Sequence, residues 1–562
     1  MMSTVPPDRV ANARLPSPRA EAASALPVGS TPKPRDDPRA GLFQSTLIIT
    51  FLSVLKIALG FALQMVLATK FGARMEMDAY LAASTIPTLI TMVLLSSLNV
   101  TSVPVFVEYT VKRDESESWR IASSFINLAL LVLAAVALAG ILGANWLVRL
   151  TVPGFGIEGE AFTLTANLLR VLFPSIVFSG MAGLLSSVYY SQRKFTLPSL
   201  APALNGLLVL LVTFGLASQL SVMSVAIGTL VGSVAQFGLL LPIMLTGKRY
   251  HFRLDYRHPG VVKISRLMLP LVLGAIFYKA NTVVERFIAS GMAEGGISYL
   301  GYAFKMANIL VTLAAQGFAV SLLPLMSEYA AAKDREGLRK TVSMGIRLVM
   351  FVVTPLVVGM AILRVPMIRL LFERGAFDHR ATVGTAWALL CYLGWVYAGG
   401  IGAILTSAFY SLQETYTVVK VGIIGMLLEI VLAIVLSQFM GYAGLALALS
   451  VVAMINVVVF IVILRKRLKG IDGKHIFSSQ IKVLFSSMAM AGVLLVGAYS
   501  LQTAAGALGH SGLLVLSVSV PTIAGVASYF AVTRLLGCEE TMYLLRWIGD
   551  LRVRIMGGRS WS

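Results

Sequence analysis

Lys279, Glu285, Arg286 and Lys305 fall within one stretch, KANTVVERFIASGMAEGGISYLGYAFK (279–305), which lies between apolar runs long enough to cross a bilayer. An ionisable side chain at membrane depth is costly, so it faces a wet or protein-lined interior and marks a functional site. Further polar groups fall inside other apolar runs. Lys56 and Gln64 are eight residues apart and share a helix face. Asp78 opens the next run, Asn281 follows Lys279, Asn308 lies one turn from Lys305, and Glu429 stands alone further on. Lys305, Lys279 and Lys56 facing a cavity would meet a phosphate- or carboxylate-bearing cargo, each lysine as a point charge rather than a bidentate fork. Gln64, Asp78, Asn281 and Asn308 would be polar or structural members of that cavity. Glu285, Arg286 and Glu429 fit either a coupling-ion site for Na⁺ or H⁺ or an ion pair. Glu285 and Arg286 form a local pair or snorkel to the interface on one reading, and Glu429 partners a deep lysine on another. The membrane potential, worth about 2.3 kcal/mol per charge per 100 mV, is a third source of drive.

No enzyme chemistry accompanies these groups. There is no GxxxxGK[ST] loop to cradle phosphate and no HExxH pair for zinc. Two cysteines, Cys391 and Cys538, build neither a disulfide framework nor a Cys-rich metal site. The expectation is a transporter without catalytic residues, metal or cofactor.

The elements that position these groups are membrane helices. The chain is 57% hydrophobic and only 13% charged, against about a quarter charged in soluble domains. Apolar runs of transmembrane length begin near 44 and recur about fourteen times to 534. Residues 1–43 are different: eight of the 21 prolines fall in 1–41, mixed with Arg, Ala, Ser and Asp, which predicts a disordered cytoplasmic tail. The formal charge of +20 does not indicate nucleic acid, because Lys and Arg gather in alternate short loops. Lys112, Arg113 and Arg120 follow the second run, Arg193 and Lys194 the fourth, and Arg465, Lys466 and Arg467 the twelfth. Cationic loops stay on the cytoplasmic side, so both termini are expected there. Residues 364–381 (RVPMIRLLFERGAFDHRA) break the alternation and predict a short helix lying in the periplasmic interface.

The chain repeats at an offset of 220 residues. VPVFVEYTVKRD (103–114) matches LPLMSEYAAAKD (323–334), and AGLLSSVYYS (182–191) matches GAILTSAFYS (402–411). Six helices fit within the offset, so the copies share orientation and are related by an axis along the membrane normal, with the cargo site between them. The expected architecture is an all-α polytopic membrane protein with an N-lobe (44–246), a C-lobe (247–465), a helix pair (466–534) and a second cytoplasmic tail (535–562).

VERFIASGMAEGGISYLGYAFKM (284–306), LLPLMSEYAAAKD (322–334), LLFERGAFD (370–378), FYSLQETYTVVK (409–420) and KFGARMEMDAYLAASTIP (70–87) together resemble the MurJ/MviN family of lipid II flippases. The resemblance runs in order from about 44 to 534. It implies the fold of the multidrug/oligosaccharidyl-lipid/polysaccharide exporter superfamily: fourteen helices, two lobes around a V-shaped cavity, and a final pair forming a lipid-facing groove. It also implies a bacterial inner-membrane flippase for an undecaprenyl-diphosphate-linked glycan, with the bilayer and glycan synthesis or polymerase proteins as partners. By the same resemblance Lys305 stands where the family has Arg and Asn308 where some members have an acid. The family's first-helix arginines, which contact the diphosphate, and the acid of the same motif are replaced by Ile57, Leu63 and Gln64, and an arginine pair of the second helix by Ile90 and Thr91. The other expectations are a carrier of an exopolysaccharide or other surface-polysaccharide unit, a cation-coupled multidrug antiporter, and a non-transporting scaffold.

Overall fold

The computed structural model describes residues 38–112, 115–245, 250–252, 254–504 and 510–542. The chain divides after Ile48, and residues 49–562 form one unit. Long helices carry it: α1 (Pro38–Phe71), α2 (Met75–Lys112), α3 (Glu115–Leu142), α4 (Glu160–Ser191), α5 (Thr196–Leu220), α6 (Met223–Leu245), α7 (Pro259–Ser290), α8 (Gly296–Ala331), α9 (Arg335–Phe372), α10 (His379–Ser411), α11 (Thr415–Met440), α12 (Tyr442–Arg467), α13 (Gly473–Ala504) and α14 (His510–Leu535). Thirteen of these, all but α7, are long and apolar enough to cross a membrane among the described residues. α7, with 32 residues, is about 48 Å long. The tail expected over 1–43 lies mostly outside the described residues, and α1 already begins at Pro38. Most of the expected tail 535–562 is also outside them.

Local chemistry sets the helix starts. Asp334 accepts from the amides of Glu336 and Gly337 and caps α9. Asp378 accepts from Ala381 N and caps α10. His258 Nδ1 accepts from Gly260 N ahead of α7, with Pro259 at the first helical position.

The 220-residue repeat holds in the backbone. Arg193 and Gln413 follow α4 and α10 with φ of 59° and 60°, and Ser221 and Gly441 follow α5 and α11 with φ of 46° and 58°. Such left-handed positions are uncommon for residues other than glycine, so their recurrence at one spacing reflects one turn geometry used twice. α1–α6 and α7–α12 are therefore two copies of one lobe.

Residues 364–381 depart from expectation. They do not form a separate interfacial helix: 364–372 continue α9, a 38-residue helix of about 57 Å. The reason is packing. Leu363, Ile368 and Phe372 are buried, and the cost of Pro366 inside the helix is met by that contact. The corresponding residues of the N-lobe do form a short separate helix, Ala144–Thr151, with Trp146 and Leu150 exposed and Ala144 and Val148 buried.

α13 and α14 are tied to α9. Tyr529 donates to the Phe351 carbonyl at 2.7 Å, with ring centroids 5.3 Å apart. Beyond α14 the chain returns to α9: Arg347 meets Glu539 at 2.9 Å and Glu540 at 3.3 Å, while Ser479 of α13 donates to Glu540 at 3.0 Å. Hydrogen bonding to Arg347 holds the Glu539 carboxyl below the ordinary range, so its contribution is present at neutral pH and lost as pH falls through that lowered value. Glu540 is buried. Arg347→Ala strands it and is expected to destabilise the protein by about 3 kcal/mol, read as a lower apparent Tm in detergent. Arg347→Lys should recover part of the loss.

Candidate functional site

Three turns meet at one end of the molecule: α1–α2, α7–α8 and α9–α10. Asp78, near the start of α2, is 5% exposed. Its Oδ2 accepts from Gly295 N at 2.7 Å, and its Oδ1 accepts from Ser298 N at 2.7 Å and Ser298 Oγ at 2.5 Å. These donors belong to the start of α8, where free N–H groups and the helix dipole favour an anion. Ser298 is the 220-residue counterpart of Asp78, so the bond lies where the two lobes' equivalent positions face each other. Around it, Glu294 accepts from Met75 N at 2.9 Å and Tyr302 donates to Gly72 O at 3.0 Å.

The RGAFD stretch closes the same seal. Ala376 N donates to Thr69 O at 2.8 Å. Gly375 has φ +58°, and a Cβ there would lie 2.3 Å from Thr69 O, so glycine is required twice over. Phe377 packs edge-on against Tyr302 at 5.3 Å, with Phe372 beside both.

Below the seal the lobes face each other across a cleft. A Cβ on Gly301 of α8 would lie 2.8 Å from Leu81 of α2, which marks the face that α8 turns to the N-lobe. Lys305 and Asn308 continue this face at helical spacing, opposite the buried Tyr302, Met306 and Ala307. Both are exposed, and among the described residues no carboxylate lies within ion-pair distance of Lys305. Lys56 is exposed on α1, and Gln64 is half-buried. Lys279 lies on α7, but its side chain falls outside the described residues.

A second cavity, of about 430 Å³, opens within the C-lobe among α7, α8, α10, α11 and α12. Asn281, Glu285, Arg286, Glu429 and Asn456 line it, with Phe304 and Trp395. Asn281 Nδ2 donates to both oxygens of Glu429, at 3.2 and 3.3 Å. Tyr392 donates to Glu285 at 3.4 Å. The expected Glu285–Arg286 pair is not formed among the described residues. Neighbours on a helix point about 100° apart, and Arg286 donates instead to Ile297 O at 3.0 Å. Among the described residues Glu429 holds no lysine; its partner is an amide. Two carboxylates thus face one cavity with lone pairs to spare, the oxygen chemistry that a proton or a hard cation takes.

Asn456, Trp395, Tyr302, Gly295 and Ser298 were not singled out from the sequence. For Ser298 the signal was there, since it is the repeat partner of Asp78. A third cavity, of about 370 Å³, is apolar and lies between α8–α9 and the final pair, against Leu310, Phe351, Met360, Met490, Leu494 and Phe530.

The lipid II flippase MurJ family model matches residues 67–517. A probable lipid II flippase MurJ from Vibrio cholerae is 28% identical over 518 residues, covering 88% of this chain and 96% of its own length. The lipid II flippase MurJ of Burkholderia cenocepacia is 27% identical over 443 residues, covering 76% and 84%. Among solved structures, a lipid II flippase MurJ in an inward closed conformation matches with TM-score 0.74 at 23% identity, over 87% of this chain and 98% of that one. An inward-facing multidrug MATE transporter of the MOP superfamily matches at 0.63 and 16% identity, over 74% and 94%. These two structures speak for the fold alone.

Asp78→Ala removes the acceptor of three hydrogen bonds and leaves their donors buried, a loss of about 3 kcal/mol or more from the sealed state. An Asn308→Cys probe in that background is expected to react faster with a membrane-impermeant thiol reagent applied from the sealed side. An unchanged rate would dissociate Asp78 from the seal.

Proposed function

Because this chain belongs to the MurJ lipid II flippase family, we propose that it moves lipid II across the bacterial inner membrane by alternating access of its two lobes, as a transporter rather than an enzyme. The observation that carries the reading is Lys305: exposed, unpaired with any carboxylate among the described residues, and on the face of α8 that looks across the cleft at α2. A cation in that position supplies a point charge for a diphosphate. Lys56 and Lys279 are proposed to add to it, and Gln64 and Asn308 to line the same path. The apolar cavity beside α13 and α14 has the chemistry for an isoprenoid chain, so head and tail of the cargo travel in separate surroundings. A surface-polysaccharide carrier and a multidrug antiporter are not favoured, since the matched relatives carry the lipid II name.

Lys and Arg concentrate in the α2–α3, α4–α5, α6–α7, α8–α9 and α12–α13 connections, so these connections and both termini are proposed to lie in the cytoplasm. The Asp78 seal is then periplasmic, and the cleft faces the cytoplasmic leaflet, where the precursor is loaded. Glu285, Glu429 and Asn281 are proposed to bind the coupling ion, Na⁺ or H⁺, with the membrane potential acting on the charge transferred. A lipid-linked precursor must be supplied on one leaflet and consumed on the other, so enzymes that make and polymerise the glycan are the proposed partners.

The test is rescue of a strain depleted of its own lipid II flippase. Lys305→Ala is expected to abolish rescue at normal expression, with cargo binding weakened roughly 10- to 100-fold, and Lys305→Arg to retain it. Full rescue by Lys305→Ala would overturn the reading. Glu429→Gln, in vesicles, is expected to leave flipping insensitive to an imposed Na⁺ or pH gradient. A gradient response equal to the wild type would remove Glu429 from coupling.

A further inference from the structure

The loop between α3 and α4 touches the far lobe as closely as RGAFD does, although no motif marks it. Residues Pro153–Phe155 form a single 3₁₀ turn ending at Gly156, which has φ +68°. Gly154 N donates to Ser290 Oγ at 3.2 Å. A Cβ on Gly154 would lie 2.2 Å from Ser290 O and 2.4 Å from Gly291 N. These are backbone atoms at the end of α7, so the obstruction could not be relieved by turning a side chain. Ser290 is itself buried, and its hydroxyl donates to Phe287 O at 2.8 Å.

The repeat shows what this contact is. Adding 220 carries 152–157 onto 372–377, the stretch that closes on Thr69. Subtracting 220 carries Ser290 onto Lys70, next to Thr69. The C-lobe loop clasps the end of α1, and the N-lobe loop clasps the end of α7, the equivalent helix. Both contacts rest on a glycine backed against carbonyl oxygen: a Cβ would lie 2.3 Å from Thr69 O at Gly375 and 2.2 Å from Ser290 O at Gly154. Asp78 and Ser298 lie between them at mutually equivalent positions.

We infer that the seal is a two-fold latch, and that the Pro153–Gly156 turn on Ser290 is its second half. Each lobe holds the first helix of the other, so the lobes separate at this end only when both clasps release. Gly154 and Ser290 are positioning residues: they touch no cargo and fix the closed geometry. The inference does not depend on which cargo is carried.

The test is a distance measurement across the sealed end. Spin labels at Leu142→Cys, the end of α3, and Phe439→Cys, the end of α11, sit at exposed positions on opposite lobes. Cys391 and Cys538 are replaced by serine. Double electron–electron resonance on the full chain in nanodiscs is expected to shift from a mainly short distance towards a longer one with Gly154→Val, and in the same direction with Gly375→Ala. Gly154→Ala and Ser290→Ala, the second removing the Gly154 hydrogen bond together with the local one to Phe287 O, are read alongside in case the valine variant misfolds. Gly140→Ala, whose Cβ would meet the Phe173 ring inside one lobe, controls for destabilisation alone. Folded Gly154→Ala and Ser290→Ala with wild-type distance distributions would overturn the latch, as would an equal shift in Gly140→Ala.

Discussion

The closed arrangement depends on one buried carboxylate held by the opposite lobe. Taking Asp78 out of water costs several kcal/mol, and the start of α8 offsets that cost with two amide N–H groups, one hydroxyl and the helix dipole. Apart from α8, Asp78 would regain water rather than remain buried and unpaired. The difference between closed and open is therefore a small remainder of two large terms. A gate needs that property: an apolar seal of the same area would be harder to undo, and an exposed ion pair would hold too little.

The duplicated lobes explain the placement of this contact, and also why their chemistry differs. The repeat preserves turns, helix ends and the face-to-face position of Asp78 and Ser298. It does not preserve the polar cavity. At the N-lobe positions equivalent to Asn281, Glu285 and Glu429 stand Phe61, Met65 and Val209, and opposite Lys305 stands Thr85. At these positions one copy has residues without charge while the other carries carboxylates, an amide and the cleft cation. The scaffold is common because two lobes must pack on one axis. The carboxylate cavity belongs to one copy because a buried ionisable group is costly and is kept only where it acts.

Helix number, loop polarity and the repeat were legible because length, charge and register are properties of the chain itself. The polar residues of α7 and α8 were legible as a set, since an apolar background exposes every exception. Their partners were not. Glu285 and Arg286 look like a pair in sequence, yet helix geometry sends one to Tyr392 and the other to Ile297 O. The arginines of 364–381 suggested an interface helix, but burial of Ile368 and Phe372 kept α9 running. Charge pattern reports depth and side; packing decides direction. Gly154 was invisible for a further reason: its role is an absent side chain, and only a backbone oxygen 2.2 Å from where a Cβ would sit gives that absence meaning.

α7 joins the two halves of this chemistry. Asn281 and Glu285 face the C-lobe cavity, and Ser290, less than two turns beyond Glu285, lies in the seal. Arg286, between them, is bonded to the α8 turn that holds Asp78. A helix of this kind is stiff over three turns, because each residue is fixed by its own backbone hydrogen bonds. Displacing the cavity end by even a fraction of an ångström must move Ser290 against Gly154, where a clasp of backbone on backbone has no slack. The far end of α7 is anchored elsewhere: Lys263 meets Glu108 of α2 at 2.7 Å, and His258 meets Glu117 of α3 at 2.8 Å. The start of α7 is thus held by the N-lobe and its end in the seal. Pro270 lies within that span and weakens the helix ladder there. The carboxylate cavity lies on the seal side of Pro270.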